Sequence, residues 1–176
     1  LVGDFHVNEA RAQAIELGKQ DGYFCPQQFD NELNVEENKN WLGKEIIAQL
    51  DERDIKIDAI VQGVGTGGTL LGNAMALKEW HNPELKIFAM EPSESRTIEC
   101  CITACHNIEG ISDGFIPTIY GRHKHMVDEI INIDSEQAIE TAISFGTERG
   151  LMVGPSSGAN YLAALEIKRR HTEVKT

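Results

Sequence analysis

The sequence predicts an α/β fold: a three-layer, open, mostly parallel twisted sheet with helices on both faces. Three observations predict it. Short apolar runs alternate with longer amphipathic stretches along the chain, the rhythm of strand and helix in α/β proteins. One apolar run, Ile57 to Val61, leads into the glycine-rich turn "VQGVGTGGTLLG" at 61–72, followed by helix-forming sequence with Leu70, Leu71, Ala74, Met75 and Leu77. A second small-residue turn, "GPSSGA" at 154–159, again separates an apolar run from helical sequence. Two strand–turn–helix units in one domain put both turns at the same edge of the sheet, where open α/β folds bind ligands.

The elements follow in order. Asn8–Gln20 reads as a helix on Ala10, Ala14, Ile15 and Leu17, and Tyr23–Cys25 as a short strand. Leu42–Leu50 reads as a helix, Lys56–Val61 as a buried strand, and Thr69–Trp80 as the helix after the glycine turn. Leu85–Met90 is the next strand, ended by "EPSES", and residues 93–126 read as irregular. Asp134 or Ser135 caps a helix running to Arg149, with Gly150 placed to end it. "LMVG" at 151–154 reads as a strand and Tyr161–Arg170 as the last helix. The first residues, from Leu1, also read as sheet-like.

Bulk properties exclude some functions. The chain has 176 residues, enough for one domain with a real core, and 41% are hydrophobic. Sixteen Lys and Arg against 28 Asp and Glu give a net charge of −12, with no long basic run. That argues against nucleic acid or an anionic membrane surface as a partner. No apolar stretch approaches the roughly 20 residues needed to span a bilayer. Cysteines 25, 100, 101 and 105 do not form the even framework of a small secreted fold, so a reducing, cytoplasmic setting is expected. The chain opens on Leu1 and not Met, which suggests a piece of something longer.

The glycine turn carries the chemistry. A strand, a Gly-rich turn and a helix start aim free backbone N–H groups at an anion, and phosphate is the natural one. Gly63-Val64-Gly65-Thr66-Gly67-Gly68 fits the dinucleotide pattern, and Glu91 ends the next strand, so an NAD-type binding module is a rival. A nucleotide triphosphatase loop is a poor match, because no Lys-Ser or Lys-Thr follows the last glycine. Thr66 and Thr69 add hydroxyls, which suits a terminal phosphate monoester better than a bridging pyrophosphate. Either threonine could instead cap the helix, as could Ser156 or Ser157 at the second turn. "PQQFDN" at 26–31 supplies side-chain amides. Cys100, Cys101, Cys105 and His106 lack C-x-x-C spacing, so no metal is expected. "GRHKHM" at 121–126 reads as a solvated basic turn, and Arg169, Arg170 and His171 as ordinary helix-end charges.

Four ordered blocks, "QQFDN" at 27–31, "GVGTGGT" at 63–69, "GISDGFIP" at 110–117 and "LMVGPSSGA" at 151–159, resemble the motifs of cysteine synthase. This is the O-acetylserine sulfhydrylase branch of the β-family (fold type II) pyridoxal-phosphate enzymes. The resemblance implies the large domain of such an enzyme, with pyridoxal 5'-phosphate as cofactor. It implies that Gly65, Thr66, Gly67, Gly68 and Thr69 hold the phosphate and that Ser156 faces the pyridine nitrogen. It places Gln27 by the substrate's carboxylate and Gly110 on the cleft wall. A small amino-acid substrate, a homodimer as the full-length enzyme, and β-replacement on O-acetylserine with sulfide to give cysteine are implied as well.

The chain also departs from the pattern. Ser112 stands where the family commonly has glycine, a change that would either narrow the pocket or alter its substrate. Glu32 replaces a common proline, and "NVEENKNWLGKEI" replaces a histidine-containing stretch. None of the nine lysines has the S-x-K-x-R setting of the family's Schiff-base lysine, and the S/T-S-G-N-T substrate loop is missing. Residues 1–176 therefore read as a single pyridoxal-phosphate-binding α/β domain resembling the C-terminal half. The N-terminal small domain and the Schiff-base lysine region are absent, so no catalytic residue is assigned and the chain alone is expected to be inactive. Besides the dinucleotide module, a non-catalytic remnant that binds protein is the other alternative.

Overall fold

The computed structural model describes residues 7–174. The sheet-like stretch at Leu1 lies outside them. In chain order the elements are α1 (Val7–Leu17), α2 (Leu33–Glu37), a π-helical turn (Asn38–Gly43), α3 (Lys44–Asp51), β1 (Ala59–Gly63) and α4 (Gly68–Trp80). Then come β2 (Lys86–Pro92), α5 (Thr97–Cys100), α6 (Thr118–His123) with a 3₁₀ turn at Lys124–Met126, β3 (Glu129–Ile133), α7 (Ser135–Arg149) and α8 (Pro155–Arg170). The three strands are all parallel and lie in the order β1-β2-β3.

The strand period of two sorts side chains between two faces. On β2, Ile87 and Ala89 join Ile47, Leu70, Ala74 and Leu77, so α3 and α4 cover that side. Phe88 and Met90 join Ala138, Ala159, Ala163 and Ile167, so α7 and α8 cover the other. This is the three-layer α/β arrangement the sequence predicts. Helix α4 is buried nearly all round, because α2 and the π-helical turn pack on its outer side. The contact is close: a Cβ at Gly72 would stand 2.5 Å from the Val35 carbonyl oxygen.

Several elements differ from the sequence reading. The strand expected over Lys56–Val61 begins at Ala59, ends at Gly63 and is only half-buried, because β1 is an edge of the three-stranded sheet. Tyr23–Cys25 is not a strand: Tyr23 N–H closes a turn on Gln20, and Phe24 is exposed. "LMVG" is not a strand either. The Leu151 N–H donates to the Phe145 carbonyl at the end of α7, and Met152 is 92% exposed. Both stretches lack a ladder partner among the described residues, and a strand is defined by its pairing. Residues 93–126, expected to be irregular, contain α5 and α6; β3 and the helical stretch at 33–43 were not anticipated.

"GRHKHM" is exposed at Arg122, Lys124 and His125, as expected, but it is helical and Arg122 and His123 form the end of a latch. Arg122 donates to the Asp30 carbonyl oxygen and to Glu32 Oε1 (3.0 and 2.7 Å), and His123 Nε2 pairs with Glu32 Oε2 at 3.0 Å. Thr118 and Arg11 hydrogen-bond the two oxygens of Asp30. The Thr118 hydroxyl, then Arg11 and Arg122, hold the Asp30 carboxyl below its usual range. Arg122 chiefly, with His123, does the same for Glu32. Lowered carboxyl pKa values contribute stability that is complete above the unfolded values and lost as pH falls through the folded ones. Acidification from pH 7 to below pH 3 should therefore weaken this latch, with the loss beginning near pH 4, completed only below the folded values, and owed mainly to Asp30 because Glu32 is more exposed. Asp30→Asn should reduce that acid loss in denaturant titrations run at both pH values; an unchanged loss would remove Asp30 from the latch.

Candidate cofactor site

A cleft of about 320 Å³ opens at the carboxyl end of β1, where α4 leaves on one face of the sheet and α8 begins on the other. Gly65, Thr66, Gly67 and Thr69 line it from the glycine turn, Glu109, Gly110 and Ile111 from the segment after α5, and Ser156 and Asn160 from α8. A larger hollow of about 460 Å³ lies beside β3, with Glu99, Lys124, Asp128, Glu129 and Arg170 on its walls. It has charges of both signs but no glycine turn or free helix start, so the smaller cleft is the better site.

Geometry at the turn follows from its small residues. Gly67 has φ +90°, a left-handed conformation that suits glycine. Gly65 lets the turn touch the opposite wall, since a Cβ there would stand 2.5 Å from the Gly110 carbonyl oxygen. Among the described residues, the backbone N–H groups of Gly65, Thr66, Gly67 and Thr69 have no acceptor. Four free donors at a helix start, which carries about half a positive charge, suit an oxyanion.

The hydroxyls divide by role. Thr66 Oγ1 accepts from Gly68 N–H at 3.1 Å, so the local capping contact belongs to Thr66 and not to Thr69. Helix α8 is capped by Gly154 without a side-chain bond, which leaves Ser156 one position inside the helix start and free of the capping role. Thr69 and Ser156 line the cleft, and their hydroxyls have no partner among the described residues.

Six of the eight residues singled out from the sequence meet in this cleft: Gly65, Thr66, Gly67, Thr69, Gly110 and Ser156. Gly68 is buried behind the wall, against Asn34. Gln27 is exposed, on a turn with φ +51°, and does not line the cleft. Sequence reasoning missed Asn160, whose Oδ1 accepts from Gly63 N–H at 2.9 Å and ties α8 to the end of β1. Its spacing four residues after Ser156 puts both on one helix face, a usable signal. Glu109 and Asn34 were missed as well.

Glu91 settles the dinucleotide rival. It is 1% exposed, and its two oxygens accept from the Ile98 and Glu99 backbone N–H groups (2.8 and 3.1 Å). Burial raises its carboxyl pKa, with those N–H groups pulling the other way. Burial, with Glu91 adding to it, pushes the Tyr120 hydroxyl up to about 12. The carboxylate therefore holds the start of α5 inside the fold, and cannot reach a ribose in the cleft.

Ser112 does not narrow the pocket. Its side chain turns inward, where Oγ donates to the Ser95 carbonyl oxygen at 2.8 Å and lies near Ser95 Oγ and Thr97 Oγ1. Its φ of +53° is strained for a residue with a Cβ. Ser112→Ala keeps the strain and leaves a buried carbonyl unpartnered, so it should cost about 1–3 kcal/mol. Ser112→Gly removes the strain along with the bond, and should cost less. Chemical denaturation ranks the two; Ala equal to or more stable than Gly would refute the account.

The family follows from comparison with known proteins. The family model described as pyridoxal-phosphate dependent enzyme matches residues 1–175. The chain belongs to this family. It is 35% identical over 174 residues to cysteine synthase from Staphylococcus aureus, covering 99% of this chain and 54% of that protein. Among solved structures, cysteine synthase from Entamoeba histolytica superposes with a TM-score of 0.82 at 36% identity, covering 95% of this chain and 48% of that one. A hydrogen sulfide-producing enzyme from Fusobacterium nucleatum gives 0.83 at 36%, covering 90% and 47%. The chain thus spans about half the length of the relatives it matches, with the fold type II pattern of a cysteine synthase. Among the described residues, no helix is long and apolar enough to cross a membrane.

Proposed function

We propose that this chain is the pyridoxal-phosphate-binding domain of a cysteine synthase-like enzyme. One observation carries the reading: the free N–H groups of Gly65, Thr66, Gly67 and Thr69 meet at one cleft with Thr69 and Ser156, whose hydroxyls have no partner among the described residues. The residues fit the group. The glycine turn would receive the dianionic phosphate, and Gly65 leaves no Cβ to block the approach of Gly110. Ser156 would meet the ring nitrogen with a neutral hydroxyl, which does not force a proton onto it. Bound pyridoxal phosphate supplies an electron sink, which in this electronic setting suits β-replacement better than transamination.

By likeness to cysteine synthase, the parent enzyme would replace the acetate of O-acetylserine by sulfide, act as a homodimer and work in the cytoplasm. Gln27 would come to the substrate's carboxylate only if its turn is rearranged by the other half of the enzyme. No lysine lines the cleft among the described residues. The proposed Schiff-base lysine and small domain therefore belong to the part of the relatives this chain does not span, and residues 1–176 should not consume O-acetylserine alone.

Titration calorimetry of the purified chain tests the reading. Pyridoxal phosphate should bind with one site per chain and NAD should bind more weakly or not at all. Tighter binding of NAD would overturn the assignment.

A further inference from the structure

Thr66 has one hydroxyl proton to give and lone pairs for two donors. Gly68 N–H, which can only donate, occupies one at 3.1 Å. Asn34 Nδ2 occupies the other at 3.0 Å. The Asn34 atom facing Thr66 must be the nitrogen, because the same atom lies 2.9 Å from the Gln28 carbonyl oxygen, which can only accept. Asn38 Nδ2, itself fixed by the Asn34 carbonyl oxygen at 2.8 Å, donates to Asn34 Oδ1 at 3.1 Å. Both amides are thus oriented by backbone carbonyls, and the Thr66 oxygen is met by donors on both sides. Its own proton has no acceptor among the described residues, and Thr66 is one of the residues that line the cleft.

We propose that Asn34 is a positioning residue that turns Thr66 into an obligate donor toward the phosphate of the bound cofactor. The inference rests on reading the cleft as a phosphate site. A hydroxyl free to rotate can spend its proton on a protein acceptor; Asn34 removes that choice and fixes the side chain at the same time. Gly68 agrees with this from a separate direction. A Cβ there would stand 2.1 Å from Asn34 Oδ1 and 2.8 Å from Nδ2, so only glycine lets the amide approach the turn. The bond to Gln28 also ties the Gln27–Asn31 turn to the phosphate cup, through a residue with no atom on the cleft wall.

The test compares pyridoxine 5'-phosphate with pyridoxine by calorimetry on the whole chain; neither has an aldehyde to react with lysines. Wild type should prefer the phosphorylated probe. Thr66→Val should weaken that probe about tenfold and Asn34→Ala about fivefold, each leaving pyridoxine unchanged. The double variant should be no worse than Thr66→Val alone. Asn34→Asp, isosteric and so less prone to a folding defect, should lose more than Asn34→Ala. Its carboxylate would accept the Thr66 proton and repel the phosphate. Equal phosphate preference in wild type and in both Asn34 variants would overturn the inference and leave the phosphate site standing. So would a loss from Asn34→Ala that persists undiminished beside Thr66→Val. A wild type without phosphate preference would overturn the site itself, and this inference with it.

Discussion

Gly158→Val is expected to lower the unfolding temperature by about 10 °C, corresponding to a loss of about 3 kcal/mol for a domain of this size. Gly158 is the fourth residue of α8, where that helix crosses α7. A Cβ placed on it would stand 2.1 Å from the Ala138 carbonyl oxygen and 2.9 Å from Ala142 N. Those are backbone atoms, so no rotamer change relieves the clash; the helices must separate. Separation loosens Ala138, Ala159 and Ala163, which are fully buried between the helices and the sheet. It would also shift Ser156 and Asn160, which flank Gly158 in sequence and line the cleft. Gly154→Ala is the control: nothing lies within 4 Å of a Cβ there, and its φ of −83° suits any residue. It should change stability by no more than about 0.5 kcal/mol. Thermal unfolding followed by circular dichroism decides the matter. A Gly158→Val variant within about 2 °C of wild type would show that the α7–α8 contact is not as close as it stands.

The contrast between α7 and its neighbours shows what was legible in the sequence. Asp134 and Gly150 announce the ends of α7, and both act as expected. Asp134 Oδ1 accepts from Gln137 N–H at 3.0 Å, and Gly150 takes the left-handed conformation at φ +69°. Capping is local chemistry, decided within one turn of chain. The cup at Gly65–Thr69 was legible for the same reason. Leu151–Val153 looks equally strand-like, yet a strand needs a neighbour far away in the chain, and none is present among the described residues. The helical stretch at 33–43 was missed because "LNVEENKN" shows no apolar periodicity; its contact with α4 comes from Val35 and from the small residues Gly43, Gly72 and Ala76. Glu91 misled through its position at a strand end, since sequence alone does not say whether a carboxylate turns toward the cleft or under α5. Asn34 carries no motif of its own. Its place beside Thr66 emerges only when residues 32 apart are brought within 3.0 Å.

Gly67→Asp is expected to abolish phosphate and pyridoxal phosphate binding while the chain stays folded. Gly67 contributes a free N–H to the cleft at φ +90° and ψ −16°, and a Cβ added to it would stand 3.1 Å from Tyr120 Cβ. Three effects add. An aspartate in the left-handed region costs about 1 kcal/mol or more, although it is among the side chains that tolerate it best. Its Cβ presses on the buried Tyr120, which must give by a few tenths of an ångström. The charge decides the outcome: at about 5 Å and an effective dielectric near 20, each unit of phosphate charge meets about 3 kcal/mol of repulsion from the new carboxylate. That is more than a hundredfold in affinity, whereas the stability loss should stay near 1–2 kcal/mol. Gly67→Ala separates the causes, because it keeps the strain and the pressure on Tyr120 but adds no charge. It should retain binding weakened about tenfold or less. Calorimetry with pyridoxal phosphate and with inorganic phosphate, beside a thermal melt of each variant, gives both quantities. An Asp variant that is folded and binds within about threefold of wild type would place the anion elsewhere, because no phosphate held at this turn could escape a carboxylate at Gly67.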